Sequence, residues 1–149
     1  VLGQRLAGSW GIAYSHAAIE IDPKNGILQI AESEPDGLRI WDMGAFMSDA
    51  ANRGSNVDRY SSNTAITSAQ TGALSSIAQD HVEDSYNFMI FFTNRSDDKF
   101  TCADFCDYAA RMANMPPIND KPLYGLSPLP SDLSKSANYH MSVMDWPGK

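Results

Sequence analysis

Apolar and polar residues alternate over two adjoining stretches of the chain, with turn residues between them. From Ala13 to Ile21 the order is Ala-Tyr-Ser-His-Ala-Ala-Ile-Glu-Ile, followed by Asp22-Pro23-Lys24-Asn25-Gly26 and then by Ile27-Leu28-Gln29-Ile30-Ala31-Glu32. A period of two predicts strands, and Asn-Gly readily takes the positive φ values of a tight turn, so an antiparallel hairpin is expected. After a second turn cluster, Glu34-Pro35-Asp36-Gly37, the run Leu38 to Trp41 alternates again. Asp42 then caps a short helix through Phe46 and Met47. Small and polar residues from Ser48 to Asn63 predict a loop, broken only by a short strand at Val57 to Tyr60.

Farther on the period changes from two to that of a helix. Thr64 is a suitable cap for a helix from Ala65 to His81, whose apolar positions Ile66, Ala69, Ala73, Leu74, Ile77 and Ala78 form one narrow stripe. Ser85 to Phe92 is short and aromatic and reads as a buried extended segment, with a polar turn from Thr93 to Lys99. Thr101 caps a second helix, Cys102 to Asn114, in which Phe105, Cys106, Ala109, Ala110 and Met112 face inward and Asp104 favours the first turn. Met115-Pro116-Pro117 stops it, and the prolines through Pro130 predict a surface loop. Ser131 to Leu133 begins one helical turn, and Tyr139 to Val143 alternates as a last strand. No internal repeat and no domain-sized linker interrupts residues 1–149, which read as one domain.

Composition narrows the partners. The chain has 149 residues, 43% of them hydrophobic, enough for a continuous core without metal or disulfide staples. Its 11 Lys and Arg against 18 Asp and Glu leave a formal charge of −7, and no two basic residues are adjacent, so no nucleic acid partner is expected. No apolar run approaches the ~18 residues of a membrane span. The two cysteines, Cys102 and Cys106, are too few and too local for a disulfide framework. A first residue of Val rather than Met suggests a processed, excised or truncated chain, in which a targeting segment would have been lost.

Cys102 carries the most chemistry. At a helix N-terminus, free N–H groups and the helix dipole favour its thiolate, and the same groups, including the Cys102 backbone N–H, can hold the oxyanion formed when a carbonyl is attacked. Cys106 lies one turn deeper and reads as core. A nucleophilic Cys needs an imidazole, and His16, at the start of a strand, is better placed than His81 or His140. Glu32 on the returning strand is close enough to orient the His16 ring. In such a set His removes the thiol proton and later donates to the leaving group. The same residues also have plain readings: a Cys in an apolar helix packs, a lone His at a strand end is a satisfied structural group, and Glu32 is a solvated carboxylate. His81, beside Asp80 and Glu83, reads as an exposed member of an acidic helix end. Asn94-Arg95-Ser96 fits the glycosylation pattern, a match too common to carry weight.

Several stretches together resemble the circularly permuted NlpC-like cysteine hydrolases of the papain superfamily, the YaeF/YiiX-like group. Tyr14-Ser15-His16-Ala17-Ala18-Ile19 is similar to the family's Y-S-H-x-G-I strand, and Ile30-Ala31-Glu32-Ser33 to its apolar-apolar-Glu-Ala segment, with Gly37-Leu38-Arg39-Ile40 after it. Ser85-Tyr86-Asn87-Phe88 is similar to P-Y-D-F, Phe100 to Phe105 to the Y-x-C-S-E-hydrophobic motif, and Leu126 to Leu133 to a P-x-D-L loop. Ala103, Asp104 and the Ala17-Ala18 pair depart from the family pattern, and its opening strand is cut short at Val1-Leu2-Gly3.

The resemblance implies an α+β permuted papain-like fold, a small antiparallel sheet with the catalytic Cys at a helix N-terminus. It implies Cys102 as nucleophile, His16 as base and Glu32 as the orienting acid, with Tyr86, Tyr14 and Ser15 near the substrate and no metal or cofactor. The activity implied is hydrolysis of an amide through a thioester, on peptides of the bacterial cell wall, by a protein of the envelope or one delivered there as a toxin with an inhibitor or immunity protein as partner. Two other readings stay open. One is a lipid-directed acyltransferase or thioesterase of the lecithin:retinol acyltransferase-like type, with an apolar rim at Phe88 to Phe92. The other is a non-catalytic binding module, in which Cys102 is buried and its sulfur lies far from His16.

Overall fold

The computed structural model describes residues 2–6 (main chain only), 15–86, 99–118 and 130–142. Within them the strands β1 (Leu2–Leu6), β2 (His16–Lys24), β3 (Ile27–Glu34), β4 (Gly37–Asp42), β5 (Ser55–Ser62) and β8 (Tyr139–Ser142) form one antiparallel sheet in the order β4-β3-β2-β1-β5-β8. Two short strands, β6 (Ser85–Tyr86) and β7 (Lys99–Phe100), pair in parallel beside it. The helices are α1 (Met43–Asn52), α2 (Ser68–Asp80) and α3 (Cys102–Met112), with a 3₁₀ turn at Pro130–Lys135. The mixed helix and sheet content is that of an α+β protein.

The hairpin β2–β3 forms where its turn chemistry sets it. Asn25 and Gly26 have φ values of 54° and 78°, and the register is irregular between Ile21 and Lys24, where Asp22-Pro23 interrupts the ladder. Alternation then divides the sheet's two faces. Ala17, Ile19 and Ile21 meet Leu74 and Ala78 of α2 and Phe105, Cys106 and Ala109 of α3, whereas Ala18 and Ile30 meet Met43 and Phe46 of α1. Each fully buried Phe or Leu among them contributes roughly 1.5–3 kcal/mol of hydrophobic stabilisation.

Several boundaries differ from those expected of the sequence. The segment read mostly as loop continues α1 to Asn52 and then forms β5, eight residues long. Its side chains are largely polar, but its main chain is paired on both edges, by β1 and β8, and backbone pairing overrides the weak side-chain pattern. The opening strand, expected to be cut short at Val1-Leu2-Gly3, is present as Leu2–Leu6, with β2 on one side and β5 on the other. Helix α2 starts at Ser68 rather than Ala65. Thr67 has a Gln three residues on and closes a capping box with Gln70, which Thr64 lacks. Helix α3 ends at Met112, and Asn114 turns the chain at φ 56°. His81 is not an exposed member of a helix end. Its Nδ1 lies 2.6 Å from Asp84 Oδ2, and its ring stacks edge-on against Phe100 and Tyr108.

The β3–β4 turn helps to position Tyr86. Gly37 has φ +117°, and a Cβ built there would lie 3.3 Å from the Asp84 carbonyl oxygen and 3.4 Å from that of Glu83. Its neighbour Leu38 exchanges main-chain bonds with Asp84 (3.1 Å) and Glu83 (2.9 Å), fixing the segment that leads to Tyr86. Gly37→Ala is expected to destabilise the fold by about 1–3 kcal/mol, since strain in φ and the crowded carbonyls add. Urea unfolding midpoints of the two proteins measure it.

Candidate functional site

Three separate stretches converge at one end of β2. Helix α3 is fixed first. Thr101 Oγ1 accepts from the Asp104 N–H at 3.2 Å, and buried Asp104 Oδ2 accepts from the Thr101 N–H at 3.3 Å, completing a capping box. Phe105 N–H goes to the Thr101 carbonyl, so the cap leaves the N–H groups of Cys102 and Ala103 outside these bonds. Ser33 Oγ donates to the Phe100 carbonyl at 2.8 Å, pinning the approach to α3 against β3. Cys102, the first residue of α3, is therefore held beside the sheet.

His16 and Glu32 are brought together by strand register. Ile19 pairs with Ala31; carried on along both strands, this register sets His16 opposite Glu34 and one diagonal step from Glu32. His16 Nε2 lies 2.5 Å from Glu32 Oε2 and 3.5 Å from Glu34 Oε1. The Cys102 side chain is close enough to those of His16 and Tyr86 to bear on the charge of both. Cys102 itself is 4% exposed, and His16 reaches the surface with 12% of its side chain.

Charge follows from this packing. Burial alone would lower the His16 pKa, but its bonds to Cys102 and Glu32 outweigh it and raise the value to about 10, so the ring is held as an imidazolium at neutral pH. Burial would raise the Glu32 pKa, yet His16 and then Arg39 hold it below the usual carboxylate value. Burial, with Cys102 and Glu34 nearby, pushes the Tyr86 hydroxyl up to about 12, keeping it a donor. Cys106 is fully buried, and its thiol is pushed well up by that burial.

Two residues without an expected role complete the cluster. Arg39 Nε donates to Glu32 Oε1 at 2.9 Å, and its guanidinium lies 3.9 Å from the Trp41 ring centre. Glu34 lies 3.9 Å from both Arg39 and Arg53. The signal for Arg39 is in the turn: with Pro35 and Asp36 as a two-residue loop, Glu34 faces Gly37 and Glu32 faces Arg39. Ser15 is exposed and lines a hollow of about 320 Å³ beside His16, together with Arg53, Ser55 and Tyr86. Tyr14 and the aromatic run Phe88 to Phe92 lie outside the described residues. Exposed His140 takes no part; its Nδ1 lies 2.6 Å from Asn63 Oδ1.

No family model matches the sequence, and no curated protein matches it. The fold does match a solved structure. It is similar to metalloprotein yiiX from Escherichia coli O157:H7, DUF1105, with a TM-score of 0.68 over 90% of this chain and 84% of that one, at 14% identity. The two proteins share a fold.

Among the described residues, His16, Glu32 and Glu34 bring one potential metal-ligand atom each within 4.8 Å of one another. The set does not fit a cation. His16 is held protonated, Glu32 has one oxygen on that ring and the other on Arg39, and Arg39 and Arg53 both flank Glu34. A divalent ion would have to displace a proton and sit among guanidinium groups.

Proposed function

We propose that the protein is a thiol hydrolase of the permuted papain-like design, in which Cys102 is the nucleophile, His16 the general base and acid, and Glu32 the group that orients the ring. The observation that supports this reading is the hydrogen-bonded series His16, Glu32, Arg39 from β2, β3 and β4, with Cys102 at the start of α3 near enough to His16 to act on its charge. The thiol proton of Cys102 rests on the His16 ring, as the imidazolium, and the sulfur attacks the carbonyl carbon of an amide. The N–H groups of Cys102 and Ala103 at the start of α3 hold the resulting oxyanion. The intermediate expels an amine that receives its proton from His16 and leaves a thioester on Cys102. Water, deprotonated by His16, then breaks the thioester, releasing a carboxylic acid and restoring the thiol.

The substrate class we favour is a peptide amide such as those of the bacterial cell wall, met in the envelope or by delivery there as a toxin with an immunity-type partner. Tyr86, Tyr14 and Ser15 are assigned to substrate contact. The hollow beside His16 supports a polar substrate over an acyl lipid, since Ser15, Glu34, Arg53 and Ser55 are among its lining residues. Burial of Cys102 is a feature of the non-catalytic alternative, but that alternative also requires a sulfur remote from His16, and the influence of Cys102 on the His16 charge favours the catalytic reading. The test is to incubate wild type and Cys102→Ala with peptidoglycan fragments and with acyl lipids and to compare products by mass spectrometry. Cleaved peptides from the wild type alone are expected. Identical peptidoglycan profiles from both proteins remove the reading.

A further inference from the structure

Arg39 of β4 reaches both carboxylates at the end of β3. Its Nε donates to Glu32 Oε1 at 2.9 Å, and its Nη2 lies 3.9 Å from Glu34 Oε1. Register explains the reach, since Glu32 stands opposite Arg39 and Glu34 opposite Gly37. Trp41, two residues on and so on the same face of β4, backs the guanidinium, with its ring centre 3.9 Å from Arg39 Cζ. The indole is itself held edge-on against Phe46 of α1, ring centres 6.0 Å apart. Arg39 Nη2 is buried and makes no hydrogen bond, so among the described residues the strong bond of this cation is the one to Glu32. Glu32 is 1% exposed, and a carboxylate so placed is costly to keep charged when a counter-charge is missing.

We propose that Arg39, seated on Trp41, is a positioning residue that keeps Glu32 ionised and aimed at His16 while the ring is without its extra proton. This rests on His16 as the general acid and base. The imidazolium gives its proton to the departing amine, and the neutral ring later takes one from water. Between those two transfers Glu32 faces a ring that carries no charge. Glu34 lies between Arg39 and Arg53, Cys102 bears on His16, and the cation bonded to Glu32 at that stage is Arg39. Without it the lone buried carboxylate raises the affinity of the His16–Glu32 pair for the proton, and the ring gives that proton up more slowly. A lysine supplies the charge but neither the flat group that stacks on an indole nor the fixed direction of the Nε–H.

The experiment reads the charge of Glu32 directly. The chain has four glutamates, Glu20, Glu32, Glu34 and Glu83, so their carboxyl carbons give four carbon-13 signals, and the one missing from Glu32→Gln assigns Glu32. His16→Gln removes the charge of the ring and stands for the stage at which it is neutral. Adding Arg39→Gln to that variant is expected to raise the pH midpoint of the Glu32 signal by about one unit or more. The Glu20 signal, whose partner is Arg59, is expected to stay where it is. Adding Arg39→Lys instead is expected to give less than half that rise. Trp41→Leu unseats the guanidinium and raises the midpoint in the same direction; it carries the test if the Arg39→Gln protein does not fold, as judged by circular dichroism. On peptide fragments cleaved by the wild type, Arg39→Gln alone is expected to lose roughly tenfold to a hundredfold in kcat with KM within about twofold, since the bond serves proton transfer rather than substrate contact. A Glu32 midpoint that moves by less than about 0.3 pH unit on loss of Arg39, or of Trp41 where that variant stands in, overturns the proposal, as does an equal rise with lysine. Failure of the hydrolase reading is seen separately, as absence of Cys102-dependent products, and the carboxyl signals still decide what Arg39 does to Glu32.

Discussion

Glu32→Gln is expected to lower turnover by about two to four orders of magnitude while leaving Cys102 and His16 in place. Both carboxylate oxygens are acceptors in use, Oε2 toward His16 Nε2 and Oε1 toward Arg39 Nε. An amide of the same shape offers one oxygen and one NH₂, so one of the two donors must face another donor. If the oxygen stays with Arg39, the ring loses its orienting acceptor and the charge that steadies the imidazolium. If it turns to His16, Arg39 is left without its partner on the buried side. Glu32→Asp, which keeps both oxygens at a shorter reach, is expected to recover part of the rate. Steady-state turnover on the peptide fragments cleaved by the wild type measures this, with circular dichroism as the control for folding. Turnover of Glu32→Gln within threefold of wild type would remove Glu32 from the mechanism.

The same pair makes stability depend on pH from both sides. His16 has a folded pKa of about 10 against an ordinary 6.5. Its contribution is thus full below pH 6.5 and lost as pH rises through 10, because the unfolded chain gives up that proton first. Glu32 is shifted the other way, below its ordinary 4.5, so its contribution is full above that value and lost as pH falls toward its lowered folded pKa. Both are whole only in the window from 4.5 to 6.5. Between neutrality and pH 10, roughly 3–5 kcal/mol from His16 is expected to disappear, an upper range because His16 and Glu32 titrate as a coupled pair. Urea unfolding across pH 4 to 10 measures the profile, and in His16→Gln the alkaline fall should flatten. An unchanged fall in that variant would mean that other groups cause it.

The features legible in the sequence are those that depend on neighbours in the chain. Asn25-Gly26 sets the hairpin, and Thr101 followed three residues later by Asp104 sets the start of α3, because in each the partners lie within one turn. The expected nearness of His16 and Glu32 is legible as order and motif on two adjacent strands, whose side chains lie 2.5 Å apart. Long-range pairing is harder to see. β5 is rich in Ser, Asn and Asp, residues typical of loops, and is a strand because β1 and β8 flank it. Arg39 and Glu34 do not stand out as members of the site, because their role emerges only once the two-residue turn fixes which residues stand opposite. Thr64 and Thr67 are both suitable helix caps by residue type, and what separates them is Gln70, whose side chain completes the cap at Thr67.

The position of β1 has a consequence for how the protein comes into being. Leu2 to Leu6 lie between strands that begin at His16 and end at Ser62, and Leu2 is paired with Arg59 as well as with Ala18. During synthesis this strand leaves the ribosome with one edge lacking a partner until β5 has followed. Closure of the sheet is therefore a late, long-range step, and the nascent chain carries an open seam through its middle until then.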